Sequence, residues 1–345
     1  MEAPVNLAQY YCTIAELDDD LKLRGAEKIA VQLRAVRDAS MFLRGKMGEF
    51  IPVTESRYFT GRGVPRLYVQ PLLAITAISN DGTSLASSDY ILKPSGAHWR
   101  NGPYTYLEVD PDAASLSEWA TELDSVEITG RWGLFEQTTA SGAVVGTGGQ
   151  TNSATSLLVD DGSKLSPGAV AYIGTEQELV TGYSTPTAAV TTLNGAVTLQ
   201  QDTITLADGT KVKAGEIIRV EFELMRVEEI QTNSVAVSRG WFGTNRVAHN
   251  TGVSVDAYRT FTVDRGANGT TAAAHNAAVA ISVFQIPPDV NYLARQIAAL
   301  MLKKASSGFA GKSGNSELGE VYYTNEFPRG AMNEVLANYD IPRFA

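Results

Sequence analysis

The chain of 345 residues carries three histidines and one cysteine, and two of the histidines sit inside a repeated pattern. RGWFGTNRVAHN, residues 239–250, is echoed by RGANGTTAAAHN, residues 265–276. Arg239 and Arg265, Gly240 and Gly266, Gly243 and Gly269, Thr244 and Thr270, and His249 and His275 each stand 26 positions apart. Nucleophilic hydrolysis needs Ser or Cys beside a histidine that a carboxylate orients. His98 lies in the turn-rich PSGAHWRNGP and the chain has no G-x-S-x-G elbow, so a hydrolase built on His98 lacks its partners. Zinc ligands cluster at short spacing, whereas each repeat offers one histidine and Cys12 stands alone as a small apolar residue. Asp18, Asp19 and Asp20 fall on a helix, where neighbours point about 100° apart and cannot converge on one ion. They read as a solvated or channel-facing set. Gly311-Lys312-Ser313 lacks both the glycine and the preceding strand of a phosphate loop, and Asn268-Gly269-Thr270 is a glycosylation acceptor only in a secreted chain. The residues predict no enzyme, no metal and no cofactor.

The repeat predicts a structural turn. Arg-Gly follows an alternating strand (Val235 and Val237; Phe261 and Val263), and the glycines at both ends of R-G-x-x-G-T permit positive φ where the chain bends back. The Thr hydroxyl and His imidazole can then bond loop backbone that strand pairing leaves free.

The elements that must position these turns come next. Thr13-Ile-Ala-Glu16 has the form of a capping box opening a short helix. Ile29, Leu33, Val36, Leu43 and Met47 approximate a helical stripe, interrupted by the polar Ser40. From Glu55 to Trp132 short apolar runs separated by Gly, Asn-Asp-Gly and Pro predict strands and hairpins, with Trp132 in the core. TTASGAVVGTGGQTNSAT, residues 138–155, reads as a Gly/Ser/Thr linker. Residues 156–285 are β-rich and hold a second likeness at an offset of 47: Asp161-Gly162 with Asp208-Gly209, Gly168 with Gly215, Glu176 with Glu223. Helix returns at Pro287-Pro288, with Val290, Leu293, Ala294, Ile297 and Met301 on one face, and a short helix is expected about Met332 to Asn338.

Length and a hydrophobic fraction of 44% suit two domains. A formal charge of -10 disfavours gripping phosphates through released counterions, but suits a surface that DNA slides past. No apolar run reaches the roughly 18 residues of a membrane span, and MEAPVNLAQYYC lacks the order of a secretion signal. A cytoplasmic chain with no membrane partner is expected.

Several segments, in order, resemble the head-tail connector (adaptor) proteins of tailed phages. They are YYCTIAELDDDLKL, EKIAVQLRAVRDASMFLRGKMGEFIP running into TESRYFTGRG, GPYTYLEVD followed by VEITGRWG, and PPDVNYLARQIAALMLKK, covering about residues 10–135 and 286–345. The repeat, with GEIIRVEFELMRV, VAVSRGWFGT and AHNTG, also resembles phage virion sequence. The resemblance implies an α+β protein: a helical connector core with β-hairpins from residues 1–137 and 286–345, plus an inserted all-β domain, 156–285, facing outward toward capsid or neighbours. It implies a homo-oligomeric, dodecameric ring at the neck of the virion, assembled in the host cytoplasm, that joins the portal protein to the next neck or tail protein. Double-stranded DNA would pass through its channel without specific binding, and Tyr339, Ile341, Pro342, Arg343 and Phe344 would reach the portal. The competing reading is a tail or baseplate β-protein that binds host glycans.

Overall fold

The computed structural model describes residues 6–21, 28–95, 103–113, 115–306, 312–315, 319–322 and 329–339. Helix α1 (Ile14–Leu21) opens with the expected box: Thr13 N–H donates to Glu16 Oε2 at 2.7 Å, and Glu16 N–H to Thr13 Oγ1 at 3.3 Å. Helix α2 (Ile29–Met47) buries Val36, Leu43 and Met47 against α3 (Pro288–Ser306), and α4 (Arg329–Asn338) adds Val335 to the same apolar cluster. Ser40 interrupts the stripe because it is used there. Its Oγ accepts from Tyr11 N–H at 2.9 Å and donates to Val36 O at 2.8 Å.

Strands β1 (Val53–Phe59), β2 (Arg66–Asn80), β3 (Thr83–Ser84), β4 (Tyr90–Lys93), β5 (Tyr104–Val109) and β6 (Val126–Trp132) form an antiparallel sheet. Its order is β1-β6-β2-β5-β4, with β3 on β2. Alternate residues of β6, Val126, Ile128 and Trp132, are buried, as a period of two requires.

Two further six-stranded antiparallel sheets follow. The first takes β7 (Thr138–Val144), β8 (Ser156–Leu158), β9 (Val170–Ile173) and β10 (Glu176–Tyr183), then β17 (Thr260–Asp264) and β18 (Ala280–Phe284). The second takes β11 (Thr187–Thr192), β12 (Thr203–Thr205), β13 (Ile217–Val220), β14 (Glu223–Gln231), β15 (Ser234–Arg239) and β16 (Ser254–Ala257). Their orders, β7-β18-β9-β10-β17-β8 and β11-β16-β13-β14-β15-β12, are the same topology. Bridges Val145↔Val159 and Leu193↔Leu206 join the two outer strands of each sheet, so each curls into a small barrel around its own apolar core. The second barrel is contiguous in sequence and sits between β10 and β17 of the first. It enters and leaves where the first barrel would otherwise have a hairpin: Tyr183 pairs with Phe261, and Ser184 N–H donates to Thr260 O at 2.8 Å. We call them the inner barrel and the framework barrel. The strands β19 (Lys312–Asn315) and β20 (Gly319–Tyr322) pair antiparallel as a separate two-stranded sheet.

The expected helical connector core is corrected by this architecture. The protein is mainly β, with three six-stranded antiparallel sheets and four α-helices among the described residues. The physical reason is patterning: residues 53–132 and 138–284 repeat with a period near two and can bury a face only by strand pairing, which leaves the helices one apolar cluster among several. The expected linker is corrected as well. Residues 138–144 are β7, and Gly149 (φ +69°) is tight because a Cβ there would lie 2.6 Å from His275 O. Glycine marks close approach here, not flexibility. No helix among the described residues is long and apolar enough to cross a membrane.

Candidate functional site

β15 ends on Arg239 and β17 is followed directly by Arg265, and the chain wraps each arginine. In the inner barrel Arg239 Nε donates to Glu223 Oε1 at 2.8 Å, and Nη2 donates to the other carboxylate oxygen and to Val247 O. Its Nη1 donates to Thr198 O at 2.7 Å and Gln201 O at 3.2 Å. Arg265 repeats this in the framework barrel, with Nε to Glu176 Oε1 at 2.7 Å, Nη2 to Glu176 Oε2 at 2.6 Å and to Ala273 O, and Nη1 to Thr151 O at 2.7 Å. One guanidinium thus ties two loops to one strand.

The glutamates and histidines close the arrangement. Glu223 accepts from Gly240 N–H and Val247 N–H, both at 3.1 Å, and Glu176 accepts from Gly266 N–H at 3.0 Å and Ala273 N–H at 2.8 Å. His249 Nε2 lies 2.9 Å from Glu223 Oε2, and His275 Nε2 lies 3.0 Å from Glu176 Oε2. Burial would raise both carboxyls, but the arginine, the histidine and the backbone amides together hold them below the usual carboxylate range. Both glutamate side chains are fully buried.

The turn itself follows the sequence expectation. Gly240 and Gly266 are left-handed at φ 70° and 59°, and Gly243 and Gly269 at 75° and 78°. Thr244 Oγ1 accepts from Leu224 N–H and donates to Trp241 O, both at 3.0 Å; Thr270 Oγ1 accepts from Gln177 N–H and donates to Ala267 O, both at 2.9 Å. The histidines depart from it, because their rings meet carboxylates and not loop backbone. The residues missed from sequence were the glutamates as partners of the arginines. Glu176 and Glu223 stood in the match at offset 47, but nothing local joins them to a pattern at offset 26.

Each turn also docks its barrel on the rest of the chain. Asn268, at φ 53°, is buried and bonds Ala8 through both side-chain atoms (Oδ1 from Ala8 N–H at 2.8 Å, Nδ2 to Ala8 O at 3.2 Å), which rules it out as an exposed glycan acceptor. Phe242, at φ 51°, and Trp241 pack with Ile14, Ile29 and Leu33.

The other expected residues separate. Asp18 is buried and accepts from Gln32 Nε2 at 2.6 Å, with burial raising its pKa to about 7. That corrects its expected place on a channel surface. Asp19 and Asp20 are exposed and pair with Arg226 at 2.7 Å and Arg295 at 2.6 Å. Cys12 is buried, and burial raises its thiol. Tyr339 Oη donates to Asp289 Oδ1 at 2.9 Å, and its ring meets Phe50 edge-on at 5.0 Å. His98, Ile341, Pro342, Arg343 and Phe344 lie outside the described residues.

The clasps have no nucleophile beside the histidine, and every buried donor of the arginines is engaged. Their chemistry is that of holding loops together. Comparison with known proteins adds no relative: no family model, no curated protein and no solved structure matches the chain.

Proposed function

We propose that this chain is a structural virion protein forming a ring, dodecameric by the resemblance, at the neck of a tailed phage, where it joins the portal to the tail and extends the DNA channel. One observation carries the reading. The helical segments that resemble connector proteins, split in sequence by the two barrels, come together in one apolar cluster that unites Tyr11 and Leu17, α2, Val290 to Leu302 and Val335, while the resembling strands pack in a second cluster around Leu107, Ile128 and Trp132. In this reading that cluster and the β1–β6 sheet form the part facing the ring, and the barrels are satellites for contact with capsid, neighbours or tail. A net charge of -10 supports a channel that DNA passes without sticking.

The test is negative-stain imaging of the purified protein with the portal protein of the same virus. Rings stacked on the portal are expected, and a chain lacking residues 340–345 should lose portal binding while unfolding at the same denaturant concentration. Monomers only, with portal present, would overturn the reading. Glycan-array binding by the two-barrel region would instead favour a tail protein.

A further inference from the structure

The two clasps differ at one place, where the framework barrel buries a carboxyl its twin lacks. Glu178 stands two residues beyond Glu176 on β10, so a period of two turns both side chains to the same face, and both are fully buried. The matching residue of the inner barrel is Met225, also buried. Gln150, matched by Val197, donates Nε2–H to Glu178 Oε2 at 3.1 Å. Gln150 Oε1 and Glu178 Oε1 have no hydrogen-bond partner.

Four groups face Glu178 from the surrounding elements. Glu176 lies on its own strand, Arg265 follows β17 with Nε at 3.1 Å, His275 lies on the loop after the turn with Nε2 at 3.5 Å, and Gln150 precedes β8. Glu176 already engages the guanidinium through both oxygens. Two buried carboxyls therefore share one arginine, and an ionised Glu178 would leave negative charge in the barrel wall with only the Gln150 amide hydrogen-bonded to it.

We infer that Glu178 holds a proton below neutral pH and acts as a pH-sensitive latch beneath the Gln150–His275 bridge, which loosens when that proton is lost. The bridge is a reciprocal pair of backbone bonds, each 2.8 Å, fastening the segment after β7 to the segment after the turn. The inner barrel makes the same bridge between Val197 and His249 over Met225, with no carboxyl at that position. Burial raises Glu178 to about 7 against the lowering effect of Gln150 and Arg265. A carboxyl raised in the folded state contributes stability that is full below the ordinary carboxylate range and is lost as pH rises through about 7.

A cation is the competing way to balance the charge, since ligand atoms of Glu176, Glu178 and His275 lie within 4.8 Å of one another. Glu176 Oε2 is already taken by Arg265 and Ala273, and the guanidinium would repel a metal ion seated beside it. A proton neutralises Glu178 without displacing any bond.

The latch stands apart from the phage reading, and its test uses the full chain. Denaturant unfolding of wild type and Glu178→Gln between pH 5 and 9 should differ in slope, the wild type losing on the order of a hundredfold in its folding constant relative to the variant. Infrared difference spectra should show a protonated-carboxyl band in the wild type that disappears near pH 7 and is absent from Glu178→Gln. Amide exchange at Gln150 and His275 should quicken over the same range. Should Glu178→Gln not fold, the double change Glu178→Met with Gln150→Val, the pair of the inner barrel, replaces it, and the wild-type band remains decisive. Parallel pH profiles, no titrating band, or stoichiometric metal by elemental analysis would each overturn the proposal.

Discussion

The framework and inner barrels share a strand order and an Arg-Glu-His clasp, yet each is sealed and docked in its own way. In the inner barrel His249 turns its second nitrogen to Glu221, 2.7 Å away on the β13–β14 turn, where the framework barrel has Gly174. The framework barrel places its extra acid inside, as Glu178. Docking differs in the same sense: Asn268 reaches the N-terminal segment through hydrogen bonds, whereas Trp241 and Phe242 reach α1 and α2 through apolar surface. What the barrels share is what closing the fold requires. Only the docking residues among the differences are set by the surface each barrel meets.

That comparison breaks most sharply at the clasp glutamates. Glu223→Ala strands a buried guanidinium and two amides, a loss of about 3–5 kcal/mol in denaturant unfolding, whereas Glu176→Ala frees two amides but leaves Glu178 beside Arg265 and should cost less. Hydrogen exchange should separate the two, with Glu223→Ala opening the inner barrel and Glu176→Ala the framework barrel, because each closes around its own apolar core. Exposure of the same amides in both variants would contradict the nesting.

Glycines of the two turns give the next effect. Gly240→Ala meets mainly the left-handed backbone and should cost about 1–2 kcal/mol. At Gly269 an added Cβ would also lie 1.9 Å from Thr54 O on β1, so the melting temperature of Gly269→Ala should fall further. A smaller loss at Gly269 would mean that the turn does not press on β1 as described.

The pH response sharpens the contrast between carboxyls. Glu176 and Glu223 are held below the usual range, so their contribution is present above it and lost as pH falls. Asp18 is raised to about 7, so its contribution is lost as pH rises through that value, and Asp18→Asn should flatten that limb of the stability profile. Smallest of all, Arg246→Ala removes an exposed pair with Asp202 from the same inner barrel and should change unfolding by less than about 1 kcal/mol.

Much of the local structure was legible in the sequence. The capping box at Thr13, the stripe of α2, the late helix and the turn glycines rest on short-range rules, and each took its expected form. The architecture was not. The offsets of 47 and 26 belong to the same pair of barrels: the strands before the inner barrel match forward by 47, and those after it match back by 26. Only strand pairing across the insertion shows that one copy interrupts the other. The histidines misled for a related reason, since the glutamates that hold them come from β10 and β14, far away in the chain. Glycine-rich composition at 138–155 likewise gave no sign that those residues seal a barrel.

The most direct test of the nested pair is to express residues 185–259 alone. A monomer that unfolds cooperatively is expected, because the strands of the inner barrel and its apolar core lie between Thr187 and Ala257. A fragment that is unstructured in native buffer would contradict it.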